Sequence, residues 1–172
     1  EGRTQESSTG DDWKIGERPI LFCCIYGGED YDGRIDWKAY GMPDADCSNW
    51  AKVAVCQAPN AKLVARQPAP LKVMIRYSPV SVTIQRDGSY LYDLGKNFSG
   101  RVALCSQVES RCAGEKIVLT PAEILTKDGQ LDQRVTGKGY AWTYICSEKP
   151  CQEFAPDFTY TGFRYVKATV PV

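Results

Sequence analysis

The residues best equipped for chemistry lie in one short stretch. Glu29, Asp30 and Asp32 place three carboxylates close together, and Arg34 follows them. Carboxylate oxygens are hard donors and suit a cation such as Ca2+. They also accept hydrogen bonds from neutral hydroxyls, while an arginine donates through a fixed fork. Tyr31 and Trp37 offer flat apolar faces for stacking beside them. Glycines at 27, 28 and 33 flank the run, so residues 27–30 read as a turn. The same residues support a plainer reading: Glu29, Asp32 and Arg34 form a salt-bridged turn that only fixes its own loop. Asp44 and Asp46 are a weaker pair of Ca2+ candidates, set against an ordinary solvated loop.

Composition narrows the chemistry further. Histidine is absent from the 172 residues. Ser–His and Cys–His nucleophilic pairs are therefore excluded, as are zinc sites that use histidine. Lys+Arg and Asp+Glu both number 21, so the net charge is zero. No basic field draws nucleic acid or an anionic membrane. Apolar runs extend only a few residues, too short for a membrane-spanning helix. The polar residues 1–12 are expected to form a flexible tail, a mature N-terminus from which a secretion signal has been removed.

The cysteines number eight. An even count in a short chain suggests four disulfides and an extracellular, secreted setting; the alternative is free buried thiols in a cytosolic protein. Cys105 and Cys112 bracket one hairpin-like segment, and Cys146 and Cys151 bracket another. Cys23, Cys24, Cys47 and Cys56 would then pair among themselves. Cys47–Cys56 leaves a strained Cys23–Cys24 bridge, whereas pairing each of Cys23 and Cys24 with one of the other two is less strained. Spacing leaves both open. Asn97-Phe98-Ser99 is an N-glycosylation sequon.

Short apolar runs broken by Gly, Pro, Asp and Asn must position these groups. Residues 20–26 and 52–56 read as strands, and 38–50 as a loop. Residues 71–84 alternate with period two, as do strands with one buried face. Residues 90–94, 100–104, 116–120, 140–146 and 163–170 are further strands. Asp87-Gly88 and Asp128-Gly129 mark tight turns. Trp50, Trp142, Tyr92 and Phe163 are expected in the core. No window carries a sustained helical stripe. The pattern predicts an all-β, antiparallel, jelly-roll-like β-sandwich with disulfides. It is one domain over 13–172, with an N-terminal extension at 13–66 and the main sandwich at 71–172.

Several spaced segments resemble a known family. Tyr92-Asp93-Leu94-Gly95-Lys96-Asn97-Phe98-Ser99-Gly100-Arg101 is similar to the pattern Y-D-x-G-Q-N-x-x-G-W of bacterial-type α-L-rhamnosidases. Phe158-Thr159-Tyr160-Thr161-Gly162-Phe163-Arg164-Tyr165-Val166 is similar to their F-x-Y-x-G-F-R-Y-V. Upstream, Tyr26-Gly27-Gly28-Glu29-Asp30-Tyr31-Asp32-Gly33-Arg34 resembles Y-x-G-E-x-Y-D-A-R. Asp46-Cys47-Ser48-Asn49-Trp50 resembles D-D-S-x-W, and residues 63–73 resemble the linker L-x-x-Q-x-x-P-P-I-R-V. The likeness runs from about Trp13 to Val170. Lys96, Arg101 and Gly33 depart from the family's Gln, Trp and Ala.

The resemblance implies an accessory β-sandwich. The family's catalytic acids belong to an α/α barrel that follows this region, so no catalytic residue carries over. It also implies a sugar-binding role, because such enzymes often carry a rhamnose-binding module assisted by Ca2+. Under that expectation Glu29, Asp30, Tyr31, Asp32, Arg34 and Trp37 hold a carbohydrate, L-rhamnose first among them. The alternatives are an accessory fragment of the enzyme, served by a partner chain, or a self-associating assembly protein. Within the resemblance Asn97 is a structural residue of its motif; that role and a glycan are compatible, and only burial of Asn97 excludes the glycan.

Overall fold

Period-two alternation builds the centre of the fold. The computed structural model describes residues 2–106, 112–137, 139–149 and 151–171. Strands are numbered along the chain. Seven of them form one sheet in the order β2 (Ile20–Cys24), β3 (Gly28–Asp32), β11 (Ala141–Ile145), β8 (Lys116–Ala122), β13 (Thr161–Thr169), β6 (Tyr90–Gly100) and β5 (Ser81–Ile84). On one face, Leu119 lies opposite Trp142 and Ala168, and Val166 opposite Tyr92. These residues share a core with Ile117, Tyr144 and Phe163. A two-stranded ribbon of β7 (Leu104–Ser106) and β12 (Cys151–Phe154) adds Leu104 and Phe154 to that core, giving a second layer. β9 (Ile124–Leu125) and β10 (Leu131–Asp132) form a small hairpin.

The chain divides into two units: Arg18–Asp36 with Tyr77–Val172, and Glu1–Glu17 with Trp37–Arg76. The sheet and its core belong to the first unit. The second unit contains β1 (Lys14–Ile15), β4 (Ala51–Lys52) and a 3-10 turn at Trp37–Gly41. Within it, β1 and β4 pair antiparallel, and the rings of Tyr40 and Trp50 meet edge to face at 5.0 Å. The division cuts through the stretch read from sequence as a 13–66 extension, since residues 18–36 contribute two strands to the large sheet.

Four sequence expectations differ from the structure. The sheet is mixed, because β3 runs parallel to β11. The glycine-rich 27–30 stretch is not a turn. The turn closes earlier, where the Gly27 N–H donates to the Cys24 carbonyl at 3.0 Å, and β3 begins at Gly28. Of the strand read at 52–56 only Lys52 is in β4, of 71–84 only Ser81–Ile84 is in a strand, and of 100–104 the middle residues 101–103 are in none, because β6 ends at Gly100 and β7 begins at Leu104. The disulfides are the fourth difference. Cys23, Cys24, Cys47, Cys56, Cys105 and Cys112 are free thiols. Neighbouring strand residues point to opposite faces, so Cys23 and Cys24 diverge. Leu104 packs on the core and Cys105 next to it is exposed, whereas Cys112 packs on the core. The Cys105–Cys112 pair therefore faces different surroundings. The expected Cys146–Cys151 bridge involves the Cys151 side chain, which lies outside the described ones.

Gly28 is required twice. Its φ is +105°, and a Cβ there would stand 1.6 Å from the Ala141 carbonyl oxygen. Only a residue without a side chain lets β3 close against β11. Gly88 has φ +80° with open space around it. Chemical denaturation should separate the two causes. Gly88→Ala is expected to cost about 1–2 kcal/mol from the left-handed backbone alone. Gly28→Ala is expected to lose more than about 3 kcal/mol, since strand β11 must also move. Equal losses would mean that the approach of the two strands is not the constraint.

Candidate functional site

Strand β3 divides the predicted cluster between its two faces. Glu29 lies opposite Trp142 and Tyr31 opposite Tyr144, so both turn toward the core. Glu29 is only 1% exposed. Its Oε1 accepts the Asp157 N–H at 3.1 Å and its Oε2 the Phe158 N–H at 3.0 Å. A buried carboxylate needs such donors, and here both oxygens are matched by backbone groups far along the chain. The Tyr31 ring stacks on Tyr144 at 6.0 Å and meets Phe154 at 5.3 Å.

The other members lie elsewhere. Asp30 is half-buried on the opposite face, across from Phe22 and Thr143. Asp32 is buried at the strand end, where Arg34 folds back onto it. The backbone N–H and Nε of Arg34 donate to Oδ1 at 3.0 and 2.9 Å, and Nη2 donates to Oδ2 at 2.7 Å. This fork holds the Asp32 carboxyl below its ordinary range. Asp132 and Arg134 repeat the device, and Asp132 is lowered to about 2 by Arg134. The salt-bridged-turn reading thus describes Asp32 and Arg34, without Glu29. Trp37 opens the 3-10 turn of the other unit and is half-exposed. Asp44 and Asp46 border an open depression of about 420 Å3 in that unit, together with Tyr40 and Met42. Asp46 accepts the Ser48 N–H at 2.9 Å, and its interaction with Ser48 lowers its carboxyl. Among the described residues, no three His, Cys, Asp or Glu side chains are grouped to hold a metal ion.

The Tyr-Asp-x-Gly motif has a clear local role. Phe98 pairs with Phe163 and Asp93 with Tyr165, so residues 94–97 bulge out of β6 against a shorter span of β13. Gly95 supports the bulge with φ +79°. Asp93 Oδ1 accepts the Gly95 N–H at 2.7 Å, and Arg164 Nε and Nη2 donate to the two Asp93 oxygens at 2.9 Å each. Asn97 is exposed, and its Nδ2 donates to Glu123 Oε2 at 2.9 Å.

Sequence reasoning placed Phe158, Thr159 and Tyr160 in a family motif but missed the partners of the loop between β12 and β13. Besides the two Glu29 bonds, Arg101 Nη1 donates to the Pro156 carbonyl and to Asp157 Oδ1, and Trp142 Nε1 donates to the buried Thr159 Oγ1 at 2.9 Å. The visible signal was Pro156 between charged and aromatic residues, which carries no hint of its distant partners. The Tyr140 hydroxyl is buried nearby, and burial raises its pKa.

Acid should expose the Asp93 pairing. Arg164 lowers the folded carboxyl below its ordinary 3.8. The unfolded chain therefore takes up a proton first as pH falls. The stabilisation is complete above the unfolded value and disappears as pH drops through the folded one. Asp93→Asn is expected to flatten the fall of Tm from about pH 5 to about pH 2. An Asp93→Asn profile parallel to the parent's would remove this pair from the acid response.

Comparison with known proteins agrees with this geometry. The family model described as the bacterial alpha-L-rhamnosidase concanavalin-like domain matches residues 83–171, and that of the alpha-L-rhamnosidase N-terminal domain matches residues 1–75. An alpha-L-rhamnosidase of Formosa agariphila is 32% identical over 97% of this chain, which spans 18% of that protein. The solved structure of alpha-L-rhamnosidase from Dictyoglumus thermophilum superposes with a TM-score of 0.81 at 30% identity, over 95% of this chain and 19% of that one. The Streptomyces avermitilis alpha-L-rhamnosidase complexed with L-rhamnose gives 0.81 at 30% identity, over 94% of this chain and 16% of that one. With its concanavalin-like unit matched over half the chain and its N-terminal unit over most of the rest, the chain belongs to the bacterial α-L-rhamnosidase family.

Proposed function

We propose that this chain is a non-catalytic accessory part of an α-L-rhamnosidase, serving as the scaffold beside which rhamnoside hydrolysis occurs. The observation that carries this is the surface of residues 37–76. None of them is buried, and Met42, Val55, Leu63, Val64, Leu71 and Met74 are exposed. Apolar surface on this scale in one continuous stretch suits a segment that packs against more protein. The covered share of the relatives, under a fifth, supports the same reading.

Glycoside hydrolysis needs two carboxylates ~5–10 Å apart, open to the glycosidic oxygen. Glu29 spends both oxygens on backbone N–H groups inside the protein, and Asp32 is engaged by Arg34. Neither is free to protonate a leaving group or attack an anomeric carbon. Sugar contact without catalysis is a second reading, favoured by the exposed rings of Phe158 and Tyr160. The test is incubation of this chain with 4-nitrophenyl α-L-rhamnopyranoside. Release of nitrophenolate is expected to match buffer. Turnover that disappears in Glu29→Gln or Asp32→Asn would overturn the accessory reading.

A further inference from the structure

We propose that the loop between β12 and β13 is a carbohydrate contact site, in which Phe158 and Tyr160 form a stacking platform and Asp157 with Arg101 supplies the hydrogen bonds. The proposal deepens the accessory role above and rests on it. The loop is fixed by two buried side chains, Glu29 and Trp142, and by the partly exposed Arg101. Pro156 is fully buried and its carbonyl is held by Arg101. The N–H groups of Asp157 and Phe158 are held by the buried Glu29 carboxylate. Thr159 is 3% exposed and is held by Trp142 Nε1.

Anchoring Thr159 inward turns both of its neighbours outward. Phe158 is 60% exposed and Tyr160 58%. Two aromatic rings in water forgo their burial, and here the anchors beneath them keep the loop from folding the rings away. A rigid loop that presents such rings loses little conformational freedom when a ligand arrives. Aromatic faces carry negative charge density and attract the polarised C–H groups on the apolar face of a pyranose. The Asp157 side chain is 68% exposed and the Arg101 side chain 36%, and they pair at 3.1 Å beside the rings. That pair offers acceptors and donors together at no net charge, which suits neutral vicinal hydroxyls rather than a phosphate or a carboxylate. The ligand class is therefore a neutral sugar with one apolar face.

The site differs from the cluster first suspected at 29–34. Glu29 reaches it only from below, through the backbone it holds.

The experiment is a titration of the isotopically labelled chain with methyl α-L-rhamnopyranoside, followed by aromatic and amide NMR shifts. Saturable shifts at Phe158 and Tyr160 are expected, with a millimolar dissociation constant. Affinity should fall about tenfold or more in the Phe158→Ala/Tyr160→Ala double variant, and less in Asp157→Asn. Both aromatic side chains are exposed, and an unchanged Tm would verify that the anchors below persist. Binding that survives the double variant would overturn the proposal. So would the absence of shifts with this glycoside and with methyl α-D-glucoside and methyl β-D-galactoside. A dimer that the double variant dissolves would overturn it too, since the rings would then serve self-association. These outcomes leave the hydrolysis test untouched, so the accessory role and the sugar platform fail separately.

Discussion

Everything distinctive about this chain depends on one buried carboxylate. Glu29 sits inside a β-sheet protein, where an ion without partners costs several kcal/mol. It is tolerated because two backbone N–H groups, 128 and 129 residues away, aim at its two oxygens. The arrangement is reciprocal. The loop of Asp157 and Phe158 would otherwise leave two N–H groups without partners near the core. Glu29 thus ties an early strand to a late loop, and the parallel pairing of β3 with β11 brings it within reach. Gly28 makes that pairing sterically feasible by letting the Ala141 carbonyl approach.

The same economy explains the family pattern and the three places where this chain departs from it. Asp93, Gly95 and Arg164 form one unit: a bulge, a left-handed glycine that relieves it, and a guanidinium that neutralises the carboxylate capping it. Each departure has a local counterpart. Lys96 lies over the Tyr77 ring, its ammonium 4.3 Å from the centroid. Arg101 reaches the Pro156 carbonyl and Asp157. Gly33 leaves room for the Tyr144 hydroxyl, which a Cβ at that position would meet at 2.2 Å. Residues with catalytic potential are spent on holding the sheet together, which suits a scaffold more than an active site.

What could be read in advance was local. Period-two runs at 116–120, 140–146 and 163–170 lie in the core strands, and Trp142 and Phe163 are buried as expected. The Asp93 bond to the Gly95 N–H spans two residues and is local in the same sense, whereas the Arg164 bond to the same aspartate spans 71. What could not be read was non-local. Glu29, Asp30 and Asp32 look alike in sequence, and only the register opposite Trp142 and Thr143 makes one internal and sets another on the far face. Gly27-Gly28 reads as a turn by propensity, yet Gly28 serves a strand that pairs with residue 141. The even cysteine count suggested bridges, but a count says nothing of the faces on which the thiols stand. Phe158 and Tyr160 are legible as members of a family motif, but their exposure is not, because it is set by what holds Thr159.

The most direct test of this account is native-state amide hydrogen exchange at Asp157 and Phe158, in the parent and in Glu29→Gln. The account predicts slow exchange of both amides in the parent. In the variant, exchange should be faster at both while the strands of β8 and β13 stay protected, because a glutamine offers one acceptor where two donors wait. Equal protection of the two amides in parent and variant would contradict it, for Glu29 would then not be holding the loop and its buried charge would need another explanation.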